Sequence, residues 1–190
     1  AREGTEIVTG ADVVRLEGDG DGRVAAVVLA DGTRFACDAV LVGVGAVPRT
    51  KLAEHAGIAC DGGVLVDACG RTSAEGVYAI GDVTGEPLEH FPGHHRLESI
   101  PSAVEQAKQV VAHLVGKEPA GHDVPWFWSD QYDLKIKIAG LVGFGRTSVV
   151  RGDPATGRFA VFHLSGGAVV AVETVNSAPD FMVGRKLIGS

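Results

Sequence analysis

The chain has 190 residues, of which 45% are hydrophobic and 22% charged, an ordinary composition for a globular protein with a packed core. Its formal net charge of −7 argues against a general nucleic-acid binder, which usually carries a basic face. No stretch approaches the roughly 18 consecutive apolar residues of a membrane span, and no signal peptide is visible. Three widely spaced cysteines without a C-x-x-C pair fit a reducing compartment, so we expect a cytoplasmic protein.

Residues 5–45 predict a β-meander, because apolar runs alternate there with the turn signals "DGDG" and "DG". Asp31-Gly32 lies between two such runs and predicts a hairpin with a type I′ turn, which requires positive φ at both positions. The run "AVLVGVG", residues 39–45, contains no polar residue. It predicts a strand that is buried on both faces of an α/β sheet.

The middle of the chain mixes irregular segments with two further strands and two helices. Residues 46–76 predict a short helix near "TKLAEHAG" and a strand in "GGVLVDA", and "VYAI" at 77–80 predicts another buried strand. Residues 84–98 are rich in Pro, Gly and His and predict a loop. Helical periodicity is clearest in residues 99–116, where one apolar face is predicted from Ala103, Ala107, Val110, Val111 and Leu114.

Short strands dominate the last third of the chain. The segment "KEPAGHDVP", residues 117–125, is a candidate domain boundary, and the strands are predicted in "LKIKIAGLV", "TSVVRG", "RFAVFHL" and "AVVAVETV". Lys135 and Lys137 alternate with two isoleucines, which predicts a sheet whose lysine face is wet. The final residues, from Ser177, predict a closing helix.

Several features are candidates for a binding site, each with an ordinary structural alternative. Gly81-Asp82 follows an apolar run, where α/β sheets bind ligands, but Asp82 could equally cap a turn. The "GVGAVP" turn is weak as a nucleotide signal because it lacks the third glycine and the helix of a G-x-G-x-x-G fingerprint. Trp126 and Trp128 fit either a ring-stacking site or a cluster that joins domains.

The "HFPGHH" segment brings three imidazoles close together in sequence. His90, His94 and His95 could contribute to a metal site, but no carboxylate or cysteine pattern completes one. We assign no metal and no role to these histidines.

Five motifs together resemble the C-terminal half of the oxygenase-coupled NAD(P)H–ferredoxin reductases, which are FAD proteins of the glutathione-reductase structural class. In chain order the motifs are "GVGAVPRT", "VYAIGDV", "RLESIPSAVEQAKQVV", "VPWFWSDQYDLKIKIAG" and "VNSAPDFMVGRKLI". The resemblance implies an α/β plus α+β fold, in which parts of two dinucleotide-binding domains precede a small C-terminal domain with an antiparallel sheet. The implied domains are the end of the NAD(P)-binding domain at 1–50, the end of the FAD-binding domain at 51–118 and a C-terminal reductase domain at 119–190.

The resemblance also implies roles for particular residues. Asp82 would accept hydrogen bonds from FAD hydroxyls, and Gly81 would allow close approach. The segment Glu98, Ser99, Ile100 and Pro101 would pass by the isoalloxazine, with the following helix pointing its N-terminus at the ring. Trp128 is the candidate catalytic aromatic at the flavin edge, with Trp126 second. Gly45 and Pro48 are implied only by position to lie near the NAD(P)H site.

The implied activity is an oxidoreductase that takes electrons from NAD(P)H through FAD to a [2Fe–2S] ferredoxin or a similar carrier. Both G-x-G-x-x-G fingerprints of the family are absent, so the sequence resembles a fragment whose other partner is an N-terminal half. Homodimerisation is a further partner option. From Gln131 to Ser190 there are seven basic and four acidic residues, a balance of +3, and Arg185-Lys186 could steer an acidic ferredoxin.

Two other functional classes stay open at this point. One is a different flavin-dependent NADH oxidoreductase of the same structural class, against which "PWFWSDQYD" argues. The other is a binding or self-association module without FAD, which the missing fingerprints favour.

Overall fold

A computed structural model describes residues 4–118 and 123–190 of the chain. The chain divides into two compact units, Ala1–Ala46 and Val47–Ser190. No helix within the described ranges is long and apolar enough to cross a membrane. Residues 119–122, the middle of the predicted boundary segment at 117–125, lie outside the described residues.

The first unit contains the predicted three-stranded meander. Strands β1 (Val13–Gly18), β2 (Val24–Leu29) and β3 (Arg34–Ala36) pair antiparallel in that order. The predicted type I′ turn is wrong, because only Gly32 has positive φ, at +87°. The loop has three residues closed by a bond from Leu29 N–H to Thr33 O, and the Asp31 carboxylate accepts the Thr33 N–H.

The apolar run at 39–45 does not form the predicted buried strand. Leu41 is 99% exposed and Val44 is 90% exposed, and none of these residues pairs with another strand within the described ranges. A strand of a parallel sheet is buried only when neighbouring strands and helices cover both of its faces. The described chain supplies no such cover, so most of the run is exposed.

The second unit begins with the short helix α1 (Lys51–His55) and a small three-stranded sheet. Strand β4 (Val64–Leu65) pairs parallel with β5 (Thr84–Leu88), which pairs antiparallel with β6 (Phe91–His95). The prediction of a loop over 84–98 is therefore wrong. Leu88 and Phe91 are buried in the core, and their packing stabilises a hairpin whose Pro, Gly and His content is poor in strand formers.

The predicted buried strand at 77–80 is also wrong. The segment forms a single bridge, between Tyr78 and Arg71, and Val77 and Ile80 are both exposed. Its apolar composition is that of a central strand, but a strand forms only where its backbone groups find a ladder of partners. One bridge within the described residues does not make a ladder.

Helix α2 (Ile100–Leu114) confirms the strongest helical prediction. Ser99 caps it by accepting the Ser102 N–H at 3.3 Å, and Gly116 follows its end with φ +67°. The predicted apolar face is only partly right, since Val111 and Leu114 are exposed whereas two glutamines, Gln106 and Gln109, are buried beside Val110.

The C-terminal part of the second unit is a five-stranded antiparallel sheet covered by one helix. The strands are β7 (Trp126–Gln131), β8 (Leu134–Gly140), β9 (Thr147–Asp153), β10 (Arg158–Ser165) and β11 (Ala168–Val175), in the spatial order β7-β8-β11-β10-β9. Helix α3 (Ala178–Leu187) follows and confirms the predicted closing helix.

Helix α3 covers the face of the sheet that carries the lysines, so the predicted wet lysine face is wrong. Lys137 alternates with Ile136 and Ile138, yet its ammonium group lies 5.4 Å from the centroid of the buried Phe181 ring of α3. A cation at this distance is attracted to the ring face, so Lys137 packs against α3. The core lies on this face, formed by Leu88, Phe91, Ala139, Ala160, Val172, Phe181 and Ile188.

Candidate functional site

Helix α2 holds the turn at Gly81-Asp82 in place through the side chain of Gln106. Gly81 has φ +80°, and its N–H donates to Gln106 Oε1 at 2.5 Å. Gln106 Nε2 in turn donates to Thr84 Oγ1 at 3.0 Å, and that hydroxyl donates to Gly81 O at 2.8 Å. Gln106 and Thr84 are 5% and 0% exposed, so these polar groups satisfy one another inside the protein. The turn therefore has a fixed conformation.

The outer side of the same turn is open. A Cβ atom built on Gly81 would meet nothing within 4 Å, so a partner molecule could approach the backbone there closely. The Asp82 carboxylate is exposed, and it makes no hydrogen bond or ion pair with the described part of the chain. A carboxylate in this state can accept hydrogen bonds from hydroxyl groups of a ligand.

Helix α2 begins at a second part of the candidate site. Ser99 satisfies one amide of the first turn, and Pro101 stands within that turn, so few N–H groups remain unpaired there. Ser102 Oγ donates to Glu86 Oε1 at 3.1 Å, which ties the start of the helix to the buried part of β5. The Glu98 carboxylate pairs with Arg96 just before the helix.

A groove of about 430 Å³ runs between the start of α2 and strand β7. One wall consists of the segment 98–101, and the other consists of residues 127–130. The groove therefore brings together five of the residues singled out in the sequence, namely Glu98, Ser99, Ile100, Pro101 and Trp128. Trp128 is 42% exposed, which leaves part of the indole available to another molecule.

The two tryptophans have different surroundings. Their ring centroids are 5.7 Å apart, but Trp126 also lies against Phe181 at 5.8 Å and is half-buried. Trp126 thus belongs to the edge of the core, and Trp128 belongs to the groove. The order in which the two indoles were ranked from sequence stays a prediction.

Gly45 and Pro48 fall on opposite sides of the division between the two units. Gly45 has φ +100° and is exposed in the first unit, whereas Pro48 is half-buried in the second. Neither residue lines the groove, and their proximity to a nicotinamide nucleotide remains a prediction.

Gln106 is the residue of this region that the sequence reasoning missed. It lies three residues after Ala103 and four before Val110, so it interrupts the predicted apolar face with an amide. A polar side chain at a position that faces the core requires a buried partner. A polar residue on the apolar face therefore predicts a buried hydrogen-bond partner, but the sequence does not identify that partner as Gly81.

The three histidines of "HFPGHH" lie on or beside β6. His95 is in hydrogen-bond contact with Pro92 O at 3.0 Å and packs against Phe91 and Phe144. No group of three metal-ligating side chains occurs among the residues that the structure describes.

The two basic residues predicted to steer a ferredoxin, Arg185 and Lys186, have different surroundings. Arg185 pairs with Asp123, whereas Lys186 is exposed.

Comparison with known families agrees with these structural features. The family model of the pyridine nucleotide-disulphide oxidoreductases matches residues 1–107, and a second model, described as reductase C-terminal, matches residues 126–190. The chain therefore belongs to the pyridine nucleotide-disulphide oxidoreductase family.

Individual relatives indicate which members of this family the chain resembles. A probable ferredoxin reductase from Castellaniella defragrans is 45% identical over 97% of this chain, and the rhodocoxin reductase from Rhodococcus erythropolis is 41% identical over 90%. The alignments cover 45% and 40% of those two proteins, so the chain spans about half the length of the curated relatives it matches.

A solved structure gives the same result. In the crystal structure of the covalent putidaredoxin reductase–putidaredoxin complex, one chain superposes with a TM-score of 0.93 at 38% identity. The superposition covers 97% of this chain and 45% of that chain. The fold class predicted from the motifs is confirmed, and so is the resemblance to ferredoxin reductases of oxygenase systems.

Proposed function

We propose that this chain is the C-terminal part of an FAD-dependent NAD(P)H–ferredoxin reductase that serves an oxygenase or a cytochrome P450. The observation that carries the proposal is the groove in which the start of α2 faces Trp128. The turn at Gly81-Asp82 is tied to the same helix through Gln106. The three motifs that the resemblance assigns to the flavin are thus connected by a single element.

The residues present fit the proposed cofactor. Gly81 leaves the backbone open, and Asp82 offers a carboxylate with no competing partner in the described chain. These two features suit a ligand with several hydroxyl groups, such as the ribityl chain of FAD. The partial positive charge at the start of α2 favours electron-rich atoms in the groove. FAD, when bound, accepts a hydride from NAD(P)H and supplies single electrons to a carrier.

The chain's own residues bind and orient in this proposal. Asp82 holds hydroxyl groups, Gln106 keeps the turn in place, and Ser99 fixes the first turn of α2. Trp128 forms the wall of the groove opposite Glu98–Pro101 and is exposed enough to contact a protein carrier as well as a ring. Gly45 and Pro48 remain proposed contacts of NAD(P)H.

We propose a [2Fe–2S] ferredoxin as the electron acceptor, because the superposed chain comes from a covalent complex between a reductase and putidaredoxin. The related proteins named above are also described as reductases of ferredoxin or rhodocoxin. The remaining half of the reductase, which would carry both dinucleotide fingerprints, is the proposed second partner. A cytoplasmic location agrees with this role and remains part of the proposal.

One observation favours a second candidate, a module that binds or self-associates without FAD. Leu41, Val44 and Val47 are all more than 80% exposed, and exposed apolar segments often mark interfaces. This candidate would not need the groove or the Gly81 turn.

A visible absorption spectrum recorded together with the intact mass separates the two candidates. In the full-length protein we expect a flavin band close to one FAD per chain, and reduction of that band by NADH or NADPH. A folded, colourless full-length protein that takes up no added FAD would overturn the reductase proposal. For the 190-residue chain alone, the mass of 19.6 kDa distinguishes flavin held by this chain from flavin held by an attached N-terminal piece.

A further inference from the structure

The indole of Trp128 is backed by a second indole that is anchored from helix α3. Trp126 and Trp128 stand two residues apart on β7 and therefore point to the same side of the strand. Their ring centroids are 5.7 Å apart with an angle of 33° between the planes. Trp126 also contacts Phe181 of α3 at 5.8 Å. The groove is thus connected to α3 through a row of three aromatic rings.

Arg185 of α3 packs against Trp126, the middle ring of this row. Its guanidinium carbon lies 5.8 Å from the centroid of the Trp126 ring, within the range in which a cation is attracted to an indole face. One guanidinium nitrogen lies 2.5 Å from Asp123 Oδ2, and the Arg185 side chain is only 23% exposed. Asp123 is 74% exposed, so the ion pair itself contributes little to stability. Its effect is to orient the guanidinium over the ring.

We propose that Arg185 is a positioning residue, which keeps Trp126 in place and thereby fixes the orientation of the Trp128 indole in the groove. A packed ring cannot change rotamer unless its neighbours yield, and Trp126 contacts both Arg185 and Trp128. The consequence for electron transfer rests on the function proposed above. The orientation of Trp128 itself does not depend on that function.

This inference separates two neighbouring basic residues that look equivalent in the sequence. Arg185 is directed inward, onto Trp126 and Asp123, whereas Lys186 is exposed. If the pair acted only as a positive patch, both residues would contribute similarly to the encounter with an acidic carrier. If Arg185 positions the indoles, its loss changes the orientation of the Trp128 ring, whereas the loss of Lys186 leaves that orientation unchanged.

Fluorine NMR of the full-length, flavin-loaded protein labelled with 5-fluorotryptophan tests the proposal. The resonances of the two residues are assigned by their disappearance in Trp126→Phe and Trp128→Phe. We expect the Trp128 resonance to shift or broaden in Arg185→Ala and to stay unchanged in Lys186→Ala. Arg185→Lys keeps the charge but lacks the planar group, so we expect a partial change. This second variant also decides the matter if Arg185→Ala does not fold. An unchanged Trp128 resonance in both Arg185 variants would overturn the proposal.

A kinetic measurement extends the test to the proposed function. In stopped flow we expect Arg185→Ala to slow ferredoxin reduction by about two- to fivefold, the size of a cation–π contact at a partly exposed site, with flavin reduction by NAD(P)H unchanged. The salt dependence of the rate should match wild type for Arg185→Lys, which keeps the charge, and weaken for Lys186→Ala. A wild-type protein without reductase activity would remove the proposed function, whereas the fluorine spectra would still decide the positioning role.

Discussion

Gln106 of helix α2 accepts a hydrogen bond from the backbone N–H of Gly81, with 2.5 Å between Oε1 and the nitrogen. A residue 25 positions later in the chain therefore fixes the turn that presents Asp82. The bond is out of reach of solvent on the helix side, because Gln106 and Thr84 are both buried. The first prediction follows from this relationship.

Replacing Gln106 with leucine should destabilise the turn and weaken the retention of flavin. Leucine has a similar volume but leaves the Gly81 N–H without its acceptor and removes the donor to the Thr84 hydroxyl, at a cost of about 1–3 kcal/mol in the free energy of unfolding. Urea unfolding measures that cost, and the flavin absorbance after dialysis measures retention. Lys108→Leu, at an exposed position of the same helix, is the matched control. Equal stability of Gln106→Leu and Lys108→Leu would show that the bond does not matter.

The second prediction concerns Asp82 itself. In the full-length protein Asp82→Ala should release FAD during dialysis that wild type withstands, because the variant removes an acceptor for ligand hydroxyls. The loss should be about 1.5–3 kcal/mol of binding free energy, or about ten- to a hundredfold in affinity, as for hydrogen bonds to a charged group. The comparison variant is Asp61→Ala, which also removes an exposed carboxylate. A variant that retains flavin like wild type would refute the role of Asp82.

The third prediction separates the two half-reactions at Trp128. We expect Trp128→Ala to slow ferredoxin reduction more than it slows hydride transfer from NAD(P)H, because the exposed indole can contact the carrier. Trp128→Phe, which keeps an aromatic wall, should have the smaller effect. Tyr132→Ala is the control, since Tyr132 is exposed and lies outside the groove. Equal slowing of both half-reactions in stopped flow would argue against this assignment.

The fourth prediction is a pH dependence in the loop that contains Asp67. Burial raises the pKa of Asp67, but hydrogen bonds from the N–H groups of Arg71 and Cys69 and from the Arg71 guanidinium outweigh this effect, so the pKa lies below its usual value of 3.8. Because the folded-state pKa is depressed, the stabilisation is present above pH 3.8 and is lost as the pH falls below it.

Asp67→Asn should therefore flatten the acid side of the stability profile. We expect the free energy of unfolding of wild type to fall more steeply than that of Asp67→Asn as the pH falls from about 4 to about 2. Asp61→Asn, at an exposed position without comparable partners among the described residues, should retain the wild-type slope. Chemical denaturation at four or five pH values is sufficient, and parallel profiles for wild type and Asp67→Asn would contradict the prediction.

Local patterns predicted the elements whose partners are close in sequence or whose period is clear. Helix α2, helix α3, the meander of β1 to β3 and four strands of the C-terminal sheet all belong to this class. The hairpin of β5 and β6 was missed because its stability comes from the burial of Leu88 and Phe91 and not from strand propensity. The lysine face of β8 was assigned to solvent because alternation shows that two faces differ, but not which face a later helix covers.

The runs at 39–45 and 77–80 failed for another reason. Both have the composition of central strands, but composition indicates only that a segment can form a strand when neighbouring strands are available. Within the described residues the run at 39–45 pairs with no strand and the run at 77–80 forms one bridge, so neither is buried as a central strand would be. For the candidate site, the motifs led to Asp82, to the start of α2 and to Trp128, but the amide of Gln106 that holds the turn depends on tertiary contact.

Helix α2 has a further consequence because Ser99 and Gln106 stand seven residues apart, which is about two turns or 10 Å along its axis. The helix therefore sets a fixed distance between the groove and the Gly81 turn. Substitutions that tilt or slide it would move both together, and their mutual spacing would be preserved. A designer who wished to alter the reach between these two points would have to insert or delete residues within those two turns.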